Sequence, residues 1–351
     1  MSRNTLFTIT TLLVLSISFS GCIGEFSSDS KEETSQELEN EKLPYTEDGI
    51  FTCVEHDNET RCWQTHIPEN LDLTIPVPLV VDMHGFSSDS TEQRHLSAFD
   101  TISEEDPMII VYPDGTSATN EFDGNENQAW NAGWCCAHAP TDDVDDVGFI
   151  EKMVAVVIQN HNIDTNRIYA SGWSNGCAMS QRLAMESHHI FAAVGCMSMY
   201  LVTDFVEGYS PIPVMEVHGF LDQIVLYEST ILSVPFNPEM WTNPESYDTG
   251  AIENVFEWAD YNNCSGGLET FDANELYLIQ GFSNCENDAQ IRLMTIYAAQ
   301  HNPYSNNLIK GGVSNVFQGT QGIVQSTEIV WEFISQFSKE SNPVQNYHIG
   351  Y

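Results

Sequence analysis

With 51 Asp and Glu against 11 Lys and Arg, this chain of 351 residues carries a formal net charge of −40. A surface so acidic repels phosphate backbones and anionic membranes, which excludes nucleic acid as a partner; the carboxylates are spread along the whole chain, as in a protein kept soluble in salty surroundings, and are not gathered into a binding patch. The length permits a large core and, by itself, either one large domain or two ordinary ones.

Residues 1–22 read as an export signal: Arg3 gives a positive start, residues 6–19 form an apolar stretch too short for a comfortable membrane span, and Ser20-Gly21-Cys22 follows. Small residues directly before a cysteine resemble the lipobox of exported lipoproteins, in which Cys22 becomes the lipidated first residue; an ordinary cleaved signal or an uncleaved anchor is the alternative. Residues 23–43 are expected to be an acidic, disordered tether, so that the protein meets a membrane only through a lipid anchor. A single catalytic domain is expected over residues 44–340, with a C-terminal tail at 341–351. Setting Cys22 aside leaves eight of the nine cysteines, an even number in a compartment that permits disulfides. Cys53 and Cys62 flank the turn-like Asp57-Asn58-Glu59 and could clip a hairpin, while Cys264 and Cys285 bracket a second β-excursion. Partners for Cys135, Cys136, Cys177 and Cys196 stay open. The adjacent thiols Cys135-Cys136 lack the spacing of a zinc knuckle, so no metal is expected.

Within the domain, residues 51–54 and 62–67 read as the first strands, and 77–83 is a continuous apolar run of the kind a doubly covered sheet needs. His84-Gly85-Phe86 follows at once. Helical spacing over 91–102, a buried strand at 107–113, and a long aperiodic segment from Asp114 to Gly133 come next; loops of that length inside a domain are usually functional. The acidic run Asp142, Asp143, Asp145 and Asp146 leads into a helix ending near Asn160. It lacks the closing Glu of a 12-residue calcium loop, so capping of the helix start is the reading preferred over a cation site. Further strands are expected at 191–197, 213–219, 275–279 and 290–297, and helices at 251–261 and 325–337.

The centre of the chain is Gly172-Trp173-Ser174-Asn175-Gly176, between a β-branched run and a segment with helical spacing. That context makes it a nucleophile elbow: small residues two positions either side of the serine let the helix pass close to the strand and leave Ser174 Oγ at the strand tip. The fold expected is α/β, an α/β-hydrolase with a mostly parallel sheet and helices on both faces. In that fold the loop after the earlier strand gives one oxyanion N–H, assigned to Phe86, and the residue after the nucleophile gives the other, Asn175. Asp222, just past the strand ending in His218-Gly219, stands where the triad acid belongs. The order Ser, acid, His then selects His301, since the other histidine beyond Asp222 is His348, three residues from the end. His218 is read as a structural histidine satisfied by local hydrogen bonds. Trp130, Trp134 and Trp173 are the candidate substrate-binding residues, with core packing the competing reading for Trp130 and Trp134.

Taken together, Trp130-Asn-Ala-Gly-Trp-Cys-Cys136, Val144-Asp-Asp-Val-Gly-Phe149, Arg167-Ile-Tyr169, the elbow with Ala178-Met179 and Arg182-Leu-Ala184, Phe191-Ala-Ala-Val194 and Val217-His-Gly-Phe-Leu-Asp222 resemble the polyhydroxybutyrate-depolymerase-like esterases, which include secreted feruloyl and acetylxylan esterases. The likeness spans about residues 50–338. It implies an α/β-hydrolase without a cofactor, acting through Ser174, Asp222 and His301, and it makes Cys264 and Cys285 the counterpart of the family's usual cysteine pair. Two departures stand out. Cys177 replaces a second glycine after the elbow, and could be bridged to Cys135, Cys136 or Cys196. The base sits in Ala298-Ala-Gln-His-Asn-Pro303, where the family has Gly-Gly-Gly-His-x-Trp-Pro. The expectation is an exported or cell-surface serine esterase cleaving polymer-linked esters, feruloyl or acetyl groups of polysaccharides. A poly(3-hydroxyalkanoate) depolymerase is the alternative within esterases, and a tethered binding lipoprotein with an inactive triad is the alternative outside them.

Overall fold

The computed structural model describes residues 42–69, 71–119, 126–136, 138–228, 250–308 and 317–339. The expected export segment with Cys22, all but the last two residues of the expected tether, and the expected C-terminal tail lie outside them. In chain order the elements are β1 (Thr46–Asp48), β2 (Phe51–His56), β3 (Glu59–His66), β4 (Val77–Met83), α1 (Ser90–Ser97), α2 (Phe99–Ser103), β5 (Ile109–Pro113), β6 (Thr116–Thr119), β7 (Glu126–Ala129), α3 (His138–Thr141), α4 (Asp146–Asn160), β8 (Ile163–Gly172), α5 (Asn175–Glu186), β9 (Ala193–Met197), β10 (Val214–Gly219), α6 (Ala251–Tyr261), β11 (Glu269–Ala273), β12 (Tyr277–Phe282), β13 (Ile291–Ile296) and α7 (Ser326–Ile334).

Eleven strands form one sheet in the order β1-β2-β3-β5-β4-β8-β9-β10-β13-β12-β11, and β6 pairs with β7 apart from it. The six strands from β5 to β13 in that order run parallel, while both flanks are antiparallel. Every residue of β4, β5, β9, β10 and β13 is buried, because a parallel sheet is covered on both faces and its strands need no polar side. Alternate side chains divide between two cores. Leu79, Val81 and Met83 pack with Phe149 and Met153 of α4, Leu183 of α5 and Trp258 of α6, whereas Val80, Ile110 and Tyr112 pack with Leu96 of α1, Phe99 of α2 and Trp331 of α7. This is the α/β-hydrolase architecture expected from the sequence.

Three local expectations are corrected. The helix expected over 91–102 is two helices that meet at Ala98, which takes a left-handed φ of 55° and returns its N–H to Arg94 O. Arg94 Nε then reaches forward to Asp100 Oδ2 at 2.6 Å and ties the pair together. The aperiodic segment after Asp114 contains the β6–β7 hairpin, whose strands are polar and carry no apolar stripe to betray them. The strand expected at 275–279 is β12, shifted to 277–282, and it is joined by an entirely exposed edge strand, β11.

The eight cysteines pair as Cys53–Cys62 across the β2–β3 hairpin, Cys135–Cys136, Cys177–Cys196 and Cys264–Cys285. Cys177 is therefore bridged from the elbow helix α5 to β9. In the acidic run, Asp145 is the N-cap of α4, its Oδ1 accepting the Gly148 N–H at 2.9 Å, as the capping reading required. Asp146 behaves differently, being fully buried with its Oδ1 accepting from Arg61 Nη2 at 2.6 Å.

Candidate active site

The turn between β8 and α5 places Ser174 in a strained left-handed conformation, φ 54° and ψ −120°, that a non-glycine residue adopts only when its surroundings impose it. Those surroundings are hydrogen bonds and close packing. Trp173 N–H donates to Met83 O at 3.1 Å and Ser174 N–H to Met197 O at 2.8 Å, so the turn is sewn to the ends of β4 and β9. A Cβ on Gly172 would lie 2.6 Å from Gly176 O, and one on Gly176 only 2.2 Å from Met83 O, so helix and strand approach closely enough to demand glycine at both places.

Ser174 Oγ lies 3.0 Å from His301 Nε2, and His301 Nδ1 donates to Asp222 Oδ2 at 2.8 Å. The three residues come from the C-terminal ends of β8, β10 and β13, where open parallel sheets leave a crevice for ligands. Asp222 Oδ1 accepts the N–H groups of Ile224 (2.8 Å) and Val225 (3.0 Å). Burial by itself would raise the Asp222 pKa, yet the His301 charge and the hydrogen bonds from His218 and His301 outweigh it and hold the carboxyl well below the usual carboxylate range. Asp222 thus orients the imidazole and stays ionised. The backbone N–H groups of Phe86 and Asn175 have no protein acceptor among the described residues, which leaves both available to an incoming oxyanion. His84 shapes the first of these loops: its Nδ1 donates to Gly85 O at 2.8 Å and its Nε2 accepts from Gly115 N–H at 2.9 Å, a pattern that makes the ring neutral.

Two of the tryptophans expected to bind substrate do other work. Trp130 is 0 % exposed and spends its indole N–H on His84 O at 2.9 Å, so it is a core residue beneath the loop. Trp173 is 3 % exposed; its ring lies 5.2 Å from that of His301 and its indole N–H donates to His301 O at 2.7 Å, so it holds the segment that carries the imidazole. Trp134 is half-buried at the edge of the core and remains the candidate among the three.

Sequence reasoning missed the residues that suspend the Trp130–Cys136 loop. The Asn175 side chain grips Trp130 at both ends, Oδ1 accepting its N–H at 2.7 Å and Nδ2 donating to its carbonyl at 3.1 Å. Asp146 Oδ2 accepts the Asn131 N–H at 2.6 Å, and Arg182 donates to Asn131 O at 2.6 Å. The sequence carried no clear signal for them: Asp146 sits in an acidic run and Arg182 on a helix, where each reads as a solvated charge. For a metal, one group among the described residues brings its ligand atoms within 4.8 Å of one another: His56, Asp57 and Asp145. It adjoins the N-terminus of α4, whose dipole opposes a cation, and Asp145 is already committed as the cap.

Comparison with known proteins adds a family and a fold. Residues 61–243 match the family model for Esterase PHB depolymerase. The chain is 26 % identical over 267 residues to feruloyl esterase B of Piromyces equi, covering 74 % of this chain and 42 % of that protein. It is 22 % identical over 165 residues to the bifunctional acetylxylan esterase/xylanase XynS20E of Neocallimastix patriciarum, covering 46 % of this chain and 22 % of that protein. The matched region is thus less than half of either relative's length. Among solved structures, an acetyl xylan esterase from Aspergillus awamori superposes with a TM-score of 0.50 at 16 % identity, covering 72 % of this chain and 94 % of that one, a likeness of fold.

Proposed function

Because the chain belongs to the Esterase PHB depolymerase family, whose model matches more than half of it, we propose that it is a serine esterase that hydrolyses carboxylic esters through an acyl-enzyme. The observation that carries this reading is the unbroken hydrogen-bond path from Ser174 Oγ to His301 to Asp222, built on a strained elbow. Ser174 Oγ attacks the ester carbonyl while His301 Nε2 takes its proton, and Asp222 holds the imidazolium through Nδ1. The N–H groups of Phe86 and Asn175 receive the oxyanion. Collapse of the tetrahedral intermediate expels the alcohol, which takes the proton from His301 and leaves the acyl group on Ser174. Water, deprotonated by the same imidazole, then attacks the acyl-enzyme, and the carboxylic acid departs as the proton returns to Ser174.

The preferred substrates are feruloyl or acetyl esters carried on polysaccharides, in keeping with the named activities of the relatives. One observation favours polyester as a second reading. Phe220 and Leu221, 43 % and 47 % exposed, directly precede Asp222, and their N–H groups bond Ile296 O and Ala299 O. A 480 Å³ cavity lined by the same Ile296 and Ala299 is bordered by exposed Tyr297, Leu276 and Ile323, so exposed apolar side chains gather around the segment that leads to His301. A panel of methyl ferulate, acetylated xylan and poly(3-hydroxybutyrate) particles separates the readings. Faster release from the first two is expected, faster release from the particles would install the polyester reading, and no release from any ester would leave a binding protein.

For location, the four disulfides fit an oxidising compartment outside the cytoplasm. Lipidation of Cys22 is the proposed means of retention at the cell surface. A mass spectrum of the mature N-terminus is expected to begin at Cys22 with added diacylglyceryl; a different first residue removes the anchor.

A further inference from the structure

β10 buries two ionisable side chains, Glu216 and His218, on one face of a strand whose other residues are Val, Met and Gly. Alternation along a strand puts the two side by side. His218 Nδ1 lies 2.6 Å from Glu216 Oε1, and His218 Nε2 lies 2.9 Å from Val225 O and 3.4 Å from Asp222 Oδ2. A backbone carbonyl can only accept, and Asp222 is ionised, so Nε2 carries a proton. Glu216 Oε2 accepts from Asn254 Nδ2 at 2.5 Å, and the negative charge of Glu216 at Oε1 draws a second proton to Nδ1. With both nitrogens donating, the ring is an imidazolium. Burial opposes that charge, but the bonds to Asp222 and Glu216 prevail and raise the His218 pKa to about 10.

The groups facing this ring are therefore Glu216 on its own strand, Asp222 and Val225 beyond it, Tyr200 stacked at 6.5 Å, and Tyr227 edge-on at 6.0 Å. The Tyr227 hydroxyl is engaged with Thr295 of β13, and Asn254 of α6 stands behind Glu216. Asp222 Oδ2 is consequently shared by two imidazoles, His301 at 2.8 Å and His218 at 3.4 Å.

We infer that His218, anchored by Glu216, is a positioning residue that shares with His301 the same oxygen of Asp222 and sets how firmly that carboxylate holds the proton of the base. A fixed cation on one side of Asp222 offsets part of the negative potential that the carboxylate projects on the other. The imidazolium formed during acylation is then held less tightly and returns its proton to the leaving alcohol more readily.

The inference rests on the esterase reading only for its kinetic consequence, and the test has two independent readouts. The first is the pH profile of kcat/KM on p-nitrophenyl acetate, and the second is a histidine-selective NMR titration of His301 in a Ser174→Ala background. His218→Gln leaves the buried Glu216 carboxylate with the Asn254 amide but without its cation, so the double variant Glu216→Gln/His218→Gln carries the test where the single variant does not fold, with a smaller upward shift because the more distant anion leaves together with the cation that touches Asp222. Removal of the cation is expected to move the acid limb, and the NMR midpoint of the triad imidazole with it, upward by about one pH unit. Below the limb kcat/KM then falls about tenfold, at the alkaline plateau it recovers, and KM stays within about twofold. A merely structural role would lower the plateau at every pH and leave limb and midpoint in place, which would overturn the inference. Absence of Ser174-dependent turnover in the parent would defeat the esterase reading instead, and the NMR titration would still decide the question for His218.

Discussion

Alanine at Ser174 or at His301 is expected to lower kcat for p-nitrophenyl acetate by about 10⁴-fold or more, with KM little changed and the fold intact. Both side chains act on one covalent step. Without the serine there is nothing to acylate, and without the imidazole 3.0 Å away its hydroxyl keeps its proton. The double variant is expected to be no worse than either single one, because residues that act as a unit are not additive. Turnover that persists is the contribution of the backbone donors at Phe86 and Asn175, which neither alanine substitution removes. A Ser174→Ala protein that kept more than about a hundredth of the parent rate would end the acyl-enzyme reading.

Asp82→Asn is expected to stabilise the protein above neutral pH by on the order of 3 kcal/mol, with a gain that fades towards pH 4. Asp82 points from β4 into the core beneath α1, where its Oδ1 accepts Gln93 Nε2 at 3.0 Å and burial raises its pKa to about 7. In the unfolded chain the carboxyl ionises near pH 4, and in the fold it keeps its proton until about 7. Between those values the unfolded state binds fewer protons, so stability declines as pH rises through the window and levels off above it. Asparagine keeps the Gln93 bond, offers its amide to the Ser97 and Ser171 hydroxyls beside it, and cannot ionise. Denaturant unfolding at pH 4.5 and pH 8 checks this, and an equal effect at both values would show that Asp82 is ionised in the fold.

The parallel strands were legible because burial on both faces leaves an uninterrupted apolar run, as in residues 77–83, that few other structures need. The elbow was legible because its glycines answer a collision rather than a preference. The place of Asp222 just past a strand, and the chain order that then selects His301, put both forward, and the structure brings them into one hydrogen-bonded line with Ser174. The features that escaped were polar. The strands of the β6–β7 hairpin and the edge strand β11 are stabilised by pairing and not by an apolar face, so no periodicity announces them. Trp130 and Trp173 look like substrate contacts in the sequence because an aromatic in a loop gives no sign of which way it faces; the indole N–H bonds to His84 and His301 settle that only in three dimensions. His218 read by itself looked structural; what changes its meaning is Glu216, two positions back on the same face of β10, a pairing displayed only in three dimensions.

The loop from Trp130 to Cys136 hangs from Asn175, Asp146 and Arg182, and its grip is on the backbone of its first two residues. Beyond Asn131 the loop is held again by its backbone, where Gly133 bridges to Val202 and the Trp134 N–H donates to Val202 O at 3.2 Å. Gly133 is fixed by its positive φ of 126° and by the Val202 carbonyl that any Cβ there would strike, so the side chain that lineages, or engineers, can rewrite to suit a new acyl group is that of Trp134. Asn175 is different again: its side chain is the hook and its backbone N–H faces the oxyanion, so a change there shifts selectivity and rate together, whereas at Trp134 the two are separable.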